Sequence, residues 1–101
     1  MADTERRNKT FRGISARLAV RYLRKLGGTP QVDGEPAPEA DDSDVTVVTG
    51  EGWAASVDSE KVQVGSSSLT LTEVRIEFTG EPAALEPLIE AFSQKAMRAG
   101  G

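Results

Sequence analysis

Arg17, Arg21, Arg24 and Lys25 recur at helical spacing, and at 100° per residue they fall within about 100° of arc on the side opposite Leu23. Arg6, Arg7, Lys9 and Arg12 stand just upstream. Such a stripe can contact phosphate, and on nucleic acid its grip would rest on counterion release. No RNP, KH, helix-turn-helix or zinc motif accompanies it, and the nearby Tyr22 falls on the apolar side. The competing reading is a solvated helix face, neutralised by the chain's own acidic residues. Trp53, the only tryptophan, lies between Gly52 and Ala54-Ala55. Small neighbours let a partner approach a ring that is common at binding hot spots, although a lone strand Trp is more often a core residue. Glu73, Glu77, Glu81, Glu86 and Glu90 could offer acid-base chemistry, but their spacing points them to solvent. The chain has no Cys and no His, which excludes thiolate nucleophiles, imidazole catalysis, disulfides and metal sites built on those ligands. The expectation is therefore a binding module and not an enzyme, with no cofactor and no metal.

The last two residues, Gly100-Gly101, offer a different chemistry. A terminal diglycine resembles the tail of ubiquitin-like modifiers and sulfur carriers, whose terminal carboxylate is adenylated and then thiolated or conjugated. That resemblance implies a carrier tail at Gly100 and Gly101 on a β-grasp fold of ββαβ order. Here the diglycine instead follows a run of helical period, and Gly27-Gly28 closes an earlier helical run in the same way. A helix stop is the cheaper explanation.

The elements that must hold these residues follow from periodicity. Residues 1–10 are polar and read as a frayed tail. Ile14, Leu18, Tyr22 and Leu26 recur every fourth residue, with Ala16, Ala19, Val20 and Leu23 widening the stripe, so the spacing predicts a helix over 14–26. Ser15 or Gly13 is the expected N-cap, and Gly27-Gly28 with Pro30 the expected stop. Residues 29–44 are rich in Pro and carboxylate with Val32 as their one sizeable apolar residue, and read as a mobile acidic linker. From Val45 the period becomes two. Val45–Thr49 and Trp53–Val57 should form a hairpin about Gly50-Glu51-Gly52, with a turn at Asp58-Ser59 and a third strand over Lys61–Val64. Gly65 to Ser68 reads as a flexible break. In Leu69 to Phe78 the apolar parity switches near Thr72-Glu73, which predicts a bulge. Leu85, Leu88, Ile89, Phe92 and Ala96 then mark a last helix, in which Pro87 is an awkward residue. The expected architecture is α+β: a two-layer sandwich in which an antiparallel meander of about four strands is covered by an N-terminal and a C-terminal helix, in the order α-β-β-β-β-α, as one domain over residues 1–101.

Net charge is −4, but it is segregated: +6 over residues 1–28, −9 over 29–60 and −1 over 61–101. Four Lys against eight Arg and a carboxylate-rich middle fit the halophilic type of composition, which keeps a protein in solution at high salt. No run is apolar enough for an export signal or a membrane span, so a cytoplasmic location without membrane contact is expected. The chain holds 26 large apolar residues, enough for one small core. An open meander has two edges, so self-association, a dimer first, is expected beside an unidentified protein partner. Nucleic acid is the alternative partner. The residues singled out for partner contact are Arg17, Arg21, Arg24, Lys25 and Trp53.

Gly50-Glu51-Gly52-Trp53, the run Leu69 to Phe78, Gly80-Glu81-Pro82, and a helix reaching Phe92 and closing on Met97-Arg98-Ala99-Gly100-Gly101 resemble the C-terminal domain of MoaD-related proteins linked to molybdopterin cofactor biosynthesis. The resemblance covers residues 45–101. It implies a small α+β accessory domain, attached in some members to a β-grasp sulfur carrier. Residues 1–44 hold no such carrier, so no catalytic residue carries over.

Overall fold

The structure, a computed structural model, describes residues 4–63, 65 and 69–100. It is α+β: six antiparallel strands in one sheet, with two helices packed on one face. In chain order these are β1 (Glu5–Arg12), α1 (Ala16–Lys25), β2 (Thr29–Val32), β3 (Glu35–Pro36), a 3₁₀ turn (Asp42–Asp44), β4 (Val47–Gly50), β5 (Trp53–Gln63), β6 (Thr70–Gly80) and α2 (Pro82–Gly100). The strand order is β1-β6-β5-β4-β2-β3, so α1 carries the chain from one edge of the sheet towards the other.

One register sets the core. Val48 opposes Ala55, Ala55 opposes Phe78, and Val57 opposes Ile76, which places these side chains on one face of the pleat. Against that face lie Ala19, Val20 and Leu23 of α1 and Leu85, Leu88, Ile89, Phe92 and Ala96 of α2, all buried. The two helical stripes predicted from spacing are thus the ones buried. Phe92 is the hub, with ring centroids 4.9 Å from Phe11, 5.9 Å from Tyr22 and 6.1 Å from Phe78. The Ser15 Oγ accepts the Leu18 N–H at 3.1 Å as the N-cap of α1, and Gly27 follows the helix at φ 102°. Pro87 sits inside α2, which begins at Pro82 without waiting for Glu86.

Several expectations are corrected. The first helix is preceded by a strand, and the sheet has six strands rather than four. Residues 5–12 are not a frayed tail: β1 pairs with β6 from Glu5↔Gly80 to Arg12↔Glu73. Backbone pairing and the tilted contact of the Phe11 ring with Phe92 hold this edge, and neither shows as a run of apolar residues. Residues 29–44 are not a mobile linker either. β2 pairs with β4, Pro30 is fully buried, the Ala37 N–H donates to the Pro30 carbonyl at 2.8 Å, and the Asp41 side chain caps the 3₁₀ turn. The Asp58-Ser59 turn is absent, and the two runs around it form one eleven-residue strand, β5. The bulge at Thr72-Glu73 is also absent. Pairing continues unbroken through Glu60↔Glu73 and Lys61↔Thr72, so Leu71 faces away from the core side and is 42 % exposed. Of the predicted break at 65–68, only Gly65 is among the described residues.

Candidate functional site

The basic stripe is divided by the fold. Arg17, Arg21 and Lys25 are exposed on the outer side of α1. Arg24 is not available: its guanidinium donates to the Asp42 Oδ1 at 2.6 Å, to the Ala40 carbonyl at 3.2 Å and to the Pro38 carbonyl. The acidic segment therefore folds back onto the helix, as a self-neutralised face would require. Asp41 continues the contact. Its Oδ1 accepts from the Ser43 Oγ–H at 2.7 Å and the Ser43 N–H at 2.9 Å, and these bonds, with the nearby positive Arg17, hold its carboxyl below the ordinary range. Arg17 and Arg21 are left flanking a shallow depression with Ser15 and Leu18. Lys95, which the sequence did not single out, places its Nζ 5.9 Å from the Tyr22 ring centroid.

Trp53 is 9 % exposed, as a core residue would be, yet it also borders the surface. Two glycines give it room. A Cβ at Gly50 would stand 2.2 Å from the Trp53 Cε2, and one at Gly28 would stand 2.7 Å from the Trp53 Cη2. The ring thus lies between the start of β5, the end of α1 and the first turns of α2. There it lines a groove of about 270 Å³ with Leu26, Ala84, Pro87, Leu88 and Ala91, and with Glu51 beside it. The groove is an assembly of three elements distant in sequence, and only Trp53 was legible as its marker.

The carboxylates depart from expectation at one position. Glu73 is 8 % exposed, and its two oxygens take Arg12 Nε and Arg75 Nε, each at 3.2 Å. Arg75 also reaches Glu60 at 2.7 Å, so an ionic ladder crosses β5, β6 and β1 on the sheet face away from the helices. That face is where the register places all four residues. Glu77 pairs with Arg6 at 3.7 Å and Glu86 with Arg7 at 3.8 Å. Among the described residues no group of Asp, Glu, His or Cys could hold a metal ion. Gly100 is the last residue of α2, and Gly101 lies outside the described residues.

No helix among the described residues is long and apolar enough to cross a membrane. The β-α-β-β-β-β-β-α order differs from the ββαβ order that the diglycine resemblance would require. No curated protein matches the chain. The family model described as archaeal MoaD-like protein matches residues 7–101, taking in β1, α1 and the acidic segment as well as the part from residue 45 onward. With all but the first six residues covered, the chain belongs to the archaeal MoaD-like protein family.

Proposed function

We propose that this protein is a non-catalytic binding module that serves molybdopterin cofactor biosynthesis by contacting a β-grasp sulfur carrier. The observation that carries the reading is the family match over residues 7–101 on a fold that lacks the carriers' strand order. That combination favours an accessory to a carrier over a carrier itself. The reading takes the module to be cytoplasmic. Its contact surface would comprise the exposed cations Arg17, Arg21 and Lys25 on the outer side of α1.

A sulfur-carrier reading rests on the terminal diglycine, and it would need Gly100 to leave the helix that it ends. A nucleic-acid reading loses Arg24, whose donors are already taken within the chain. The sulfur-carrier reading is separated from the proposal by one experiment. The purified chain, and a version truncated before Gly100, are each mixed with a β-grasp sulfur carrier from the same cell, and binding is measured by calorimetry. The proposal expects equal binding by both forms and an unmodified C-terminus by mass spectrometry. Absence of binding, its loss on truncation, or a thiocarboxylate on Gly101 would overturn it.

A further inference from the structure

Among the described residues, uncovered apolar surfaces stand at the two opposite ends of β5. Trp53 opens that strand at the groove, and Gln63 ends it roughly 33 Å away at the usual rise of an extended strand. At the far end the hairpin outruns its neighbours. β4 pairs with β5 only from Gly50↔Trp53 to Val47↔Ser56, with one further bond from the Val57 N–H to the Thr46 carbonyl. β1 leaves β6 at Arg12↔Glu73. The rows Lys61↔Thr72, Val62↔Leu71 and Gln63↔Thr70 therefore form a two-stranded arm beyond the sheet. Val62 and Leu71 share one face of it. Leu69 is 70 % exposed and Leu71 is 42 % exposed. A two-stranded ribbon is marginal in water by itself, and grouped exposed leucines mark a contact surface.

The groove at the other end has the complementary character. Its walls are apolar, and its volume of about 270 Å³ lies below the roughly 300–1,000 Å³ of small-molecule pockets, so it suits a few side chains better than a cofactor. Its mouth is acidic. Glu51 lines it, and Glu81 is so close to the adjoining turn that a Cβ at Gly52 would be 3.3 Å from the Glu81 Oε2. Neither carboxylate has an ion-pair partner among the described residues, and Lys61 on the arm has none either. Lys61 is thus an unpaired cation on the apolar arm, and Glu51 and Glu81 are unpaired anions at the apolar groove.

We propose that the arm of one copy seats in the Trp53 groove of a second copy, in a reciprocal two-fold dimer, with Lys61 of each meeting Glu51 of the other. One arm-to-groove contact alone would be heterologous and would propagate. It closes when both arms engage at once, which two elongated molecules lying side by side in opposite directions allow. The partner is a second copy because this chain itself carries both halves of the match in apolar character and in charge.

The test is sedimentation equilibrium near 0.15 M ionic strength, where the Debye length of about 8 Å leaves a contact pair effective. The wild type is expected to dimerise, and Lys61→Glu or Glu51→Lys to weaken the dimer about tenfold each, since each places like charges at both contacts. An equal mixture of the two variants restores wild-type affinity, because both contacts then join opposite charges. Leu71→Asp, which removes no core side chain, abolishes the dimer while the far-UV spectrum is unchanged. A wild type that stays monomeric to about millimolar concentration, a dimer indifferent to all three substitutions, a mixture no tighter than its components, or open-ended assembly would overturn the proposal.

Discussion

The Arg24 Nη1 stands 2.6 Å from the Asp42 Oδ1, and this pair joins the last turn of the basic helix to the acidic segment eighteen residues later. Both side chains are largely shielded from solvent, at 32 % and 17 % exposed. The Ala40 and Pro38 carbonyls complete the guanidinium's fork, so one side chain orders a stretch that has little apolar surface of its own.

Arg24→Ala should therefore release residues 38–44. The loss is expected to be about 2 kcal/mol, since hydrogen bonds to charged groups contribute roughly 1.5–3 kcal/mol and this cluster is only partly buried. Urea unfolding gives the magnitude, and faster amide exchange at Asp44 and Val45 gives the location. Arg24→Lys should recover less than half, because a point charge cannot serve three acceptors in a fork. Unchanged exchange in the alanine variant would contradict the clamp.

Gly50→Ala, at the half-buried end of β4, should be among the most destabilising substitutions in the hairpin. The new methyl would lie 2.2 Å from the indole, and the ring is also confined at Gly28, where a Cβ would stand 2.7 Å from the Trp53 Cη2. Overpacking of this kind costs about 1–3 kcal/mol. Thermal unfolding followed by Trp53 fluorescence reads it, with a red-shifted native spectrum as the ring is pushed towards water. A native spectrum identical to wild type with unchanged Tm would show that the ring is not confined.

Glu73→Gln should cost about 1–2 kcal/mol, measured by chemical denaturation. Breaking a buried pair typically costs 3–5 kcal/mol, but Arg12 and Arg75 are 62 % and 55 % exposed and can turn to water once the carboxylate is neutral. In a double-mutant cycle with Arg12→Ala the coupling is expected to stay below about 1 kcal/mol. A cost above 3 kcal/mol would mean that the ladder is sealed from solvent.

Asp41 should titrate below the reference aspartate value of about 3.9. Its folded pKa is lowered by the Ser43 hydroxyl first, then by the Ser43 amide, with Arg17 adding to the effect. A depressed carboxyl contributes stability above its unfolded pKa and loses that contribution as pH falls through the folded value. The 3₁₀ turn should thus hold at neutral pH and loosen in acid below about pH 4. An NMR titration of the Asp41 carboxyl checks this, and Ser43→Ala should move its midpoint upward. A wild-type midpoint at or above the reference would refute the cap.

How much of this could be read from the chain depends on what each element hides. α1 and α2 were legible because a helix with one buried face repeats its apolar residues at 3.6, and Leu23, Phe92 and their neighbours obey that period. β1 was not, since an edge strand keeps its place through backbone pairing that has no side-chain signature, and beside the Glu5–Arg7 pair within the strand its cations Arg6, Arg7 and Arg12 find partners on β6 and α2. β2 was hidden because it is held by its pairing with β4, and the 3₁₀ turn because the side chain that orders it, Arg24, belongs to another element. Trp53 could be marked as notable, but its groove could not, because Leu26, Ala84 and Leu88 come from two helices.

Sequence alone determined the exclusion of thiol and imidazole chemistry, the α+β class, both buried helical stripes and the hairpin about Glu51. These are properties of residue type and short-range period, which need no knowledge of distant neighbours. The tertiary structure decided the number of strands, the burial of Glu73, the removal of Arg24 from the basic face and the continuity of β5 into an arm. Each of those depends on which segments meet across the sheet. A charge's availability and a strand's end are set by partners tens of residues away, and only folding brings those partners together.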